Sequence, residues 1–395
     1  MPDFSKRNLT IDNFRAVTMF LMVFVNDFWT VGGIPHCLEH GGTREDFLGL
    51  ADFVFPWFLF AVGLSIPYAI ERRYGKGCSE LSTVFHILER TLALLVMGVF
   101  FANTEVEMSQ DMIMGKSLFR VMMIAGFFLI WNTYPANAGN GRKLLFRIFR
   151  IIGVFVLAFL MIIYRDSDGG VFSVRGWGIL GQIGWIYLLC SFLYLAFRAS
   201  IRKFTIAWFL CFILCVICAC RLLPGDSFLY SFLKILNIPP GAKPGYCIGG
   251  IITTLAALEL SGRKTGYKIT LAASVAAILM LAGFACHHFW IFSKNMQTPP
   301  TMLVCTAAAI FLYCLVAIPV SYGLTGIFKP VKSAGTATLT CYTMPILIYS
   351  VLRLAGLEPE TGLYGFAGLV KCILFSSACV FLTFILEKAG IKLKI

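Results

Sequence analysis

The chain has 395 residues, 58% of them hydrophobic and only 13% charged, with a mean hydropathy of +0.82. Soluble domains carry about 25% charged residues, so a soluble globular protein is excluded. The formal net charge of +13 lies in short clusters between apolar runs, not on one basic face, which excludes nucleic acid as the partner.

Taken in chain order, apolar runs bounded by charge, proline or glycine predict helices near 15–33, 52–71, 84–102, 117–133, 147–164, 178–197, 204–220, 246–260, 268–289, 301–323, 334–353 and 364–386. Runs of about 20 residues suit a ~30 Å hydrocarbon core, and backbone in lipid must satisfy its own hydrogen bonds. The expected class is an all-α polytopic integral membrane protein with about 12 transmembrane helices (10–12), one domain over 1–395. The polar stretch Met1–Asn13 leads into the first run without a small-residue cleavage site, so no cleavable signal is expected.

With twelve crossings the loops alternate between two sides. Of the 33 Lys and Arg, twenty-one then fall on the side of the N-terminus, nine on the opposite side and three within spans. That bias predicts both termini in the cytoplasm. The fourteen cysteines are scattered through apolar runs without a CxxC pair and read as packing residues, not a disulfide framework.

Chemistry concentrates between Val25 and Gly63. Asn26 and Asp27 stand near the outer end of the first span, where a carboxylate is costly unless it faces a cavity or a partner. His36 and His40 follow in the outer loop 34–51, and Asp52 begins the second span. A neutral imidazole can take a proton from an amine or hydroxyl, a carboxylate can fix its tautomer, and an amide can bond a thioester carbonyl as it gains charge. An idle loop histidine is the plainer alternative for each ring. The His36-x3-His40 spacing would suit a metal only in a helix, which Gly32, Gly33, Pro35, Gly41 and Gly42 oppose, so no metal is expected.

Further candidate substrate-binding residues are His36, Arg120, Arg175, His288 and Lys294, all toward the outer side. Arg72, Arg73, Arg142 and Lys143 fall on the cytoplasmic side, where they could bind an anionic group. Each has a plainer reading as an interfacial or snorkelling residue.

The segment resembles the signature region of the heparan-α-glucosaminide N-acetyltransferase family and its bacterial relatives. The likeness is carried by Asp12-x-Phe14-Arg15, Leu21-Met22-Val23-Phe24-Val25-Asn26, Leu38-x-His40 and Asp52-x-Val54-Phe55-Pro56-x-Phe58-x-Phe60-x-x-Gly63. Arg90, Gly98, Asn103, Arg175-x-x-Gly178-x-Leu180, Pro240-Gly241 and Gly335-Thr336 extend it along the chain, while the family's Gln-Arg pair after Leu180 is Gly181-Gln182 here. The resemblance implies acetyl-CoA as co-substrate, a small-molecule amino-sugar acceptor of the glucosamine type at the periplasmic face, membrane lipid as surroundings, the inner membrane of a bacterium and a homodimer. It places catalysis on His40 and Asn26, with Asp52 or Asp27 orienting the imidazole, and leaves open direct transfer or an acetyl-histidine. The alternative from another class is a secondary transporter for sugar or ion, with Asp27, Asp52 and Glu89 relaying protons.

Overall fold

The structure is a computed structural model that describes residues 8–135, 139–222, 228–360 and 362–395. Lys6 and Arg7, counted above among the twenty-one on the side of the N-terminus, and residues 223–227 lie outside them.

The described chain is helical throughout: α1 (Leu9–Asn26), α2 (Leu50–Gly75), α3 (Glu80–Glu105), α4 (Lys116–Trp131), α5 (Asn140–Ile163), α6 (Gly178–Phe197), α7 (Ile201–Ala219), α8 (Phe228–Ile235), α9 (Ala242–Glu259), α10 (Thr265–His287), α11 (Pro299–Ser321), α12 (Lys332–Thr336), α13 (Thr338–Leu354) and α14 (Gly365–Lys388). Every predicted run has a counterpart, and α8 is an addition in the connection between α7 and α9. Among the described residues nine helices are long and apolar enough to cross a membrane, or ten if the bent pair Thr325–Thr336 and Thr338–Leu354 is one span. This is a multi-pass membrane protein, but the twelve expected crossings are not all met on length and composition.

The shortfall has a physical reason. α4 has 16 residues and α13 has 17, so at 1.5 Å per residue each is about 24–26 Å long, less than the hydrocarbon core. α9 carries Lys243 and Glu259 near its ends, and much of its surface is covered by protein. It packs against α2, α6, α7 and α11, so its solvent is protein and strong apolarity is not required.

Half or more of α1, α2, α3, α6 and α11 is buried within the protein, whereas α5, α7, α10 and α14 expose most of theirs. The outer helices turn large apolar side chains outward, among them Phe155, Ile162, Leu210, Ile278 and Phe381, as lipid-facing surfaces must. The inner crossing of α2 on α9 depends on two glycines. A Cβ on Gly63 would run into the Cys247 carbonyl, and one on Gly250 into the Phe60 carbonyl. Thr254 Oγ1 seals the contact by donating to the Leu64 carbonyl at 2.9 Å. That close packing sets the first turns of α2 and α9, and the residues they carry, on one face of the bundle.

Candidate functional site

Residues 27–49 link α1 to α2 as a folded loop with short 3-10 turns at Phe28–Thr30 and His36–Leu38. Its end is fixed by Asp52 in the first turn of α2, whose side chain is 1% exposed. Asp52 Oδ2 accepts the amides of Gly41 at 2.9 Å and Gly49 at 3.2 Å, a capping arrangement that satisfies backbone donors at a helix N-terminus. A Cβ at Gly49 would strike the Glu39 carbonyl, so glycine there lets the loop close on itself.

The other oxygen, Oδ1, lies 2.8 Å from His40 Nδ1. A carboxylate only accepts, so Nδ1 carries a proton, and in the neutral ring Nε2 then keeps its lone pair. His40 lines a cavity of about 290 Å³ together with Asn26, Gln182, Lys243, Tyr246 and Lys294. Asn26, the last residue of α1, makes no side-chain hydrogen bond with described residues. The ring, the amide and two ammonium groups thus border one space. Burial pushes the Lys294 ammonium below its usual range, and the Asp52 carboxylate partly opposes this.

A second cavity, about 460 Å³, opens at the opposite face and is lined by Arg15, Arg72, Arg90, Lys392 and Lys394. A third, about 390 Å³, lies beside Asn26 and includes Asp27, Arg120 and Tyr349. Met22 lines all three.

The remaining expected residues separate into two groups. Arg72 borders the cation-lined cavity, Lys294 the His40 cavity and Arg120 the third; Arg120 Nη2 also donates to the Thr104 carbonyl at 2.8 Å. The others border none of these spaces. Arg73 bonds Ser82 from the surface, and Arg142 and Lys143 stand exposed in the first turn of α5. Arg175 pairs with Asp166 and braces its own loop. His288 is exposed at the end of α10.

His36 bonds Glu45 at 2.8 Å and stacks on Phe47; the Gly42 amide and the His36 ring hold Glu45 below its ordinary value. His287 bonds Asp46 at 2.7 Å and stacks on Phe292. Burial pushes the Asp46 carboxyl up, but the Phe292 amide and the His287 ring outweigh it and hold the group low.

Asp27 is a correction to its expected role. It does not reach the imidazole: its carboxylate meets Lys371 Nζ at 2.9 Å and the Tyr349 hydroxyl, and Lys371 also bonds Thr30 Oγ1 at 2.5 Å. Among the described residues, Asp52 is the carboxylate bonded to His40.

Sequence reasoning passed over Lys371, Lys243 and Tyr246. Lys371 had a signal as a lone cation within the last apolar run. Lys243, beside Pro-Pro-Gly and before the glycine-rich α9, had a weaker one. Tyr246 had none.

A family profile described as "Domain of unknown function (DUF5009)" matches residues 7–221. The chain is also similar to heparan-alpha-glucosaminide N-acetyltransferase of Mus musculus, 37% identical over 93 residues, and to the protein of the same name from Homo sapiens, 34% identical over 94. Each stretch takes in 24% of this chain and only 13% of the relative's length.

Proposed function

The chain belongs to the DUF5009 family, and we propose that it is a membrane acetyltransferase, moving an acetyl group from acetyl-CoA at one face to an amino sugar at the other. The observation that carries this reading is the His40–Asp52 pair on a cavity that shares the wall residue Met22 with a cation-lined cavity opening on the opposite face. The partial similarity to two N-acetyltransferases supports the acyl group as the cargo. The excess of Lys and Arg on the side of the N-terminus supports a cytoplasmic entry for the donor, in the inner membrane of a bacterium.

In this mechanism Arg15, Arg72, Arg90, Lys392 and Lys394 attract the donor's phosphates, and the thioester arm runs along α1. Arg15 and Asn26 are eleven residues apart on that helix, about 17 Å along its axis. His40 Nε2 takes the proton from the acceptor amine as its nitrogen bonds to the carbonyl carbon. The Asn26 amide and the Lys294 ammonium face the oxygen as it gains negative charge. When the C–S bond breaks, the imidazolium returns its proton to the sulfur, giving the N-acetyl sugar and free CoA. In the covalent variant, His40 Nε2 attacks the thioester carbon and the C–S bond breaks to release the CoA thiolate; the amine then takes the acetyl group from the ring, the freed imidazole accepts the proton that the amine loses, and that proton ends on the thiolate.

The test is consumption of acetyl-CoA by the purified protein against a panel of amino sugars, alongside thermal stabilisation by CoA. A ligand at 100 times its Kd adds about 2.7 kcal/mol. No turnover with any acceptor and no thermal shift would sink the reading. Radiolabelled acetyl retained on wild type but not on His40→Ala, without acceptor, supports the covalent route.

One observation favours a sugar or ion carrier instead. The segments Thr325–Thr336 and Thr338–Leu354 meet at a 78° bend against Asp12 and Ala16 of α1, and broken helices are features of carriers. Accumulation of unmodified sugar in proteoliposomes without acetyl-CoA would establish that reading.

A further inference from the structure

We propose that a fourth cavity, between α7, α9, α10 and α11, holds one acyl chain of an anionic phospholipid whose phosphate sits at Lys264 and Lys268. The site goes beyond the acetyltransferase reading and stands on its own geometry.

The cavity has a volume of about 580 Å³. Its mouth lies where five helices begin or end on one face, at Thr10, Thr205, Leu258, Thr265 and Ser321. From Lys268 it runs to Leu279, eleven residues on and about 17 Å along α10. That is about the depth of one leaflet, half of a ~30 Å hydrocarbon core. Phe209, Leu271 and Val275 border the space and are exposed, so it opens sideways toward lipid. It shares Asn8 and Tyr68 with the cation-lined cavity and no wall residue with the other two.

The lining selects the occupant. Trp208, Ile252, Leu279 and Ile310 make the interior apolar, and water is not retained in such a space. Left empty, the walls would lose dispersion contacts along their length. An acyl chain from the adjoining leaflet supplies them. It also joins α10, which packs on α11, to α7 and α9 across the gap.

Charge selects the class of lipid. Between Glu259 and Lys268 the chain carries Arg263, Lys264 and Lys268 against that one acid. Lys268 lines the cavity and donates one bond, to the Ser261 carbonyl at 3.3 Å. An ammonium has three donors, so a phosphate at the mouth can take the others. Basic clusters at the membrane surface attract anionic headgroups. A zwitterionic lipid offers the same phosphate but brings its own cation against this cluster.

The experiment adds dioleoyl phosphatidylglycerol or dioleoyl phosphatidylcholine to the detergent-purified full chain and counts bound lipid by native mass spectrometry. Wild type is expected to hold one phosphatidylglycerol in preference to phosphatidylcholine. Lys264→Gln with Lys268→Gln should weaken phosphatidylglycerol about 30-fold, the effect of two basic groups near an anionic headgroup, and leave phosphatidylcholine unchanged. Ala272 borders the space, and Ala272→Trp should fill it and exclude both lipids. The glutamine pair lies at the mouth and keeps the fold, so it decides the matter if Ala272→Trp does not fold.

Equal retention of the two lipids by wild type would overturn the proposal, as would a folded Ala272→Trp protein that keeps its phosphatidylglycerol. A wild-type dimer that becomes monomeric in Ala272→Trp, with the lipid count unchanged, would assign this face to a second copy of the chain and overturn it too. The lipid count needs no turnover, so a protein that acetylates nothing yet holds phosphatidylglycerol through Lys264 and Lys268 would keep this site and remove the acetyltransferase reading.

Discussion

Asp52 and Asp27 are both about 1% exposed, both stand where a helix of the bundle meets the same face, and both have a basic partner. Their partners differ. His40 gives Asp52 one nitrogen and keeps the other for the cavity, with its side chain 49% exposed. Lys371 bonds Asp27, Thr30 and the Tyr349 hydroxyl together, which uses its three donors. A carboxylate therefore prepares chemistry when its partner retains an unengaged atom, and makes a clamp when the partner is saturated. Asp27 ties the end of α1 to α13 and α14, and Asp52 aims a base.

The contrast is sharpest if each side is broken separately. His40→Ala should have the largest effect, a fall in acetyl transfer of about 10²–10⁴-fold, the range for losing a positioned general base, with the melting temperature held. Activity surviving that change would remove the assigned base. Lys371→Met should do the reverse, because it strands a buried carboxylate. Removing one member of a buried pair costs about 3–5 kcal/mol, read as a large loss of thermal stability, and the double change Asp27→Asn with Lys371→Met should recover much of it. A Lys371→Met protein that is fully stable but inactive would mean the clamp takes part in the reaction. Asp52→Asn should be intermediate, lowering kcat by about 10–100-fold, the range for changing a carboxylate that orients a functional histidine, because the amide still caps the loop but supports the imidazolium less.

The sequence made the helices legible because lipid imposes long apolar runs, and most boundaries agree with the structure within a few residues. It also singled out Asn26, His40 and Asp52, which the loop closure through Gly41 and Gly49 brings to one cavity and its buried support. It could not rank Asp27 against Asp52. That difference is decided by Lys371, which stands 344 residues from Asp27 along the chain and reaches it only through packing of α14 on α1. Length and composition support nine or ten crossings and not all twelve for a related reason. α9 is enclosed by protein, and hydropathy measures suitability for lipid, not burial. Lys243 and Tyr246 escaped notice because a cavity joining α1, α2 and α9 has no periodicity along one segment.

The same rule applies to the smallest effects, at the two other histidine–carboxylate pairs on this face. His36–Glu45 and His287–Asp46 have the same chemical partners as His40–Asp52, yet neither ring borders the cavity, and each lies flat on a phenylalanine. His36→Ala and His287→Ala should therefore cost only a few-fold in activity, since exposed pairs contribute about 0–1 kcal/mol. Asp46 joins the 27–49 loop to the segment after α10 by accepting the Phe292 amide at 2.7 Å. Its folded pKa is depressed from 3.8, so the stabilisation is present above that value and is lost as pH falls through the lower, folded one. Hydrogen exchange at the Phe292 amide should be faster in Asp46→Asn at neutral pH, and wild type should converge on the variant only below about pH 3.8, near the reference value for Asp. A loss with His287→Ala as deep as that with His40→Ala would show that an unengaged ring nitrogen is not what separates the reactive pair from the structural ones.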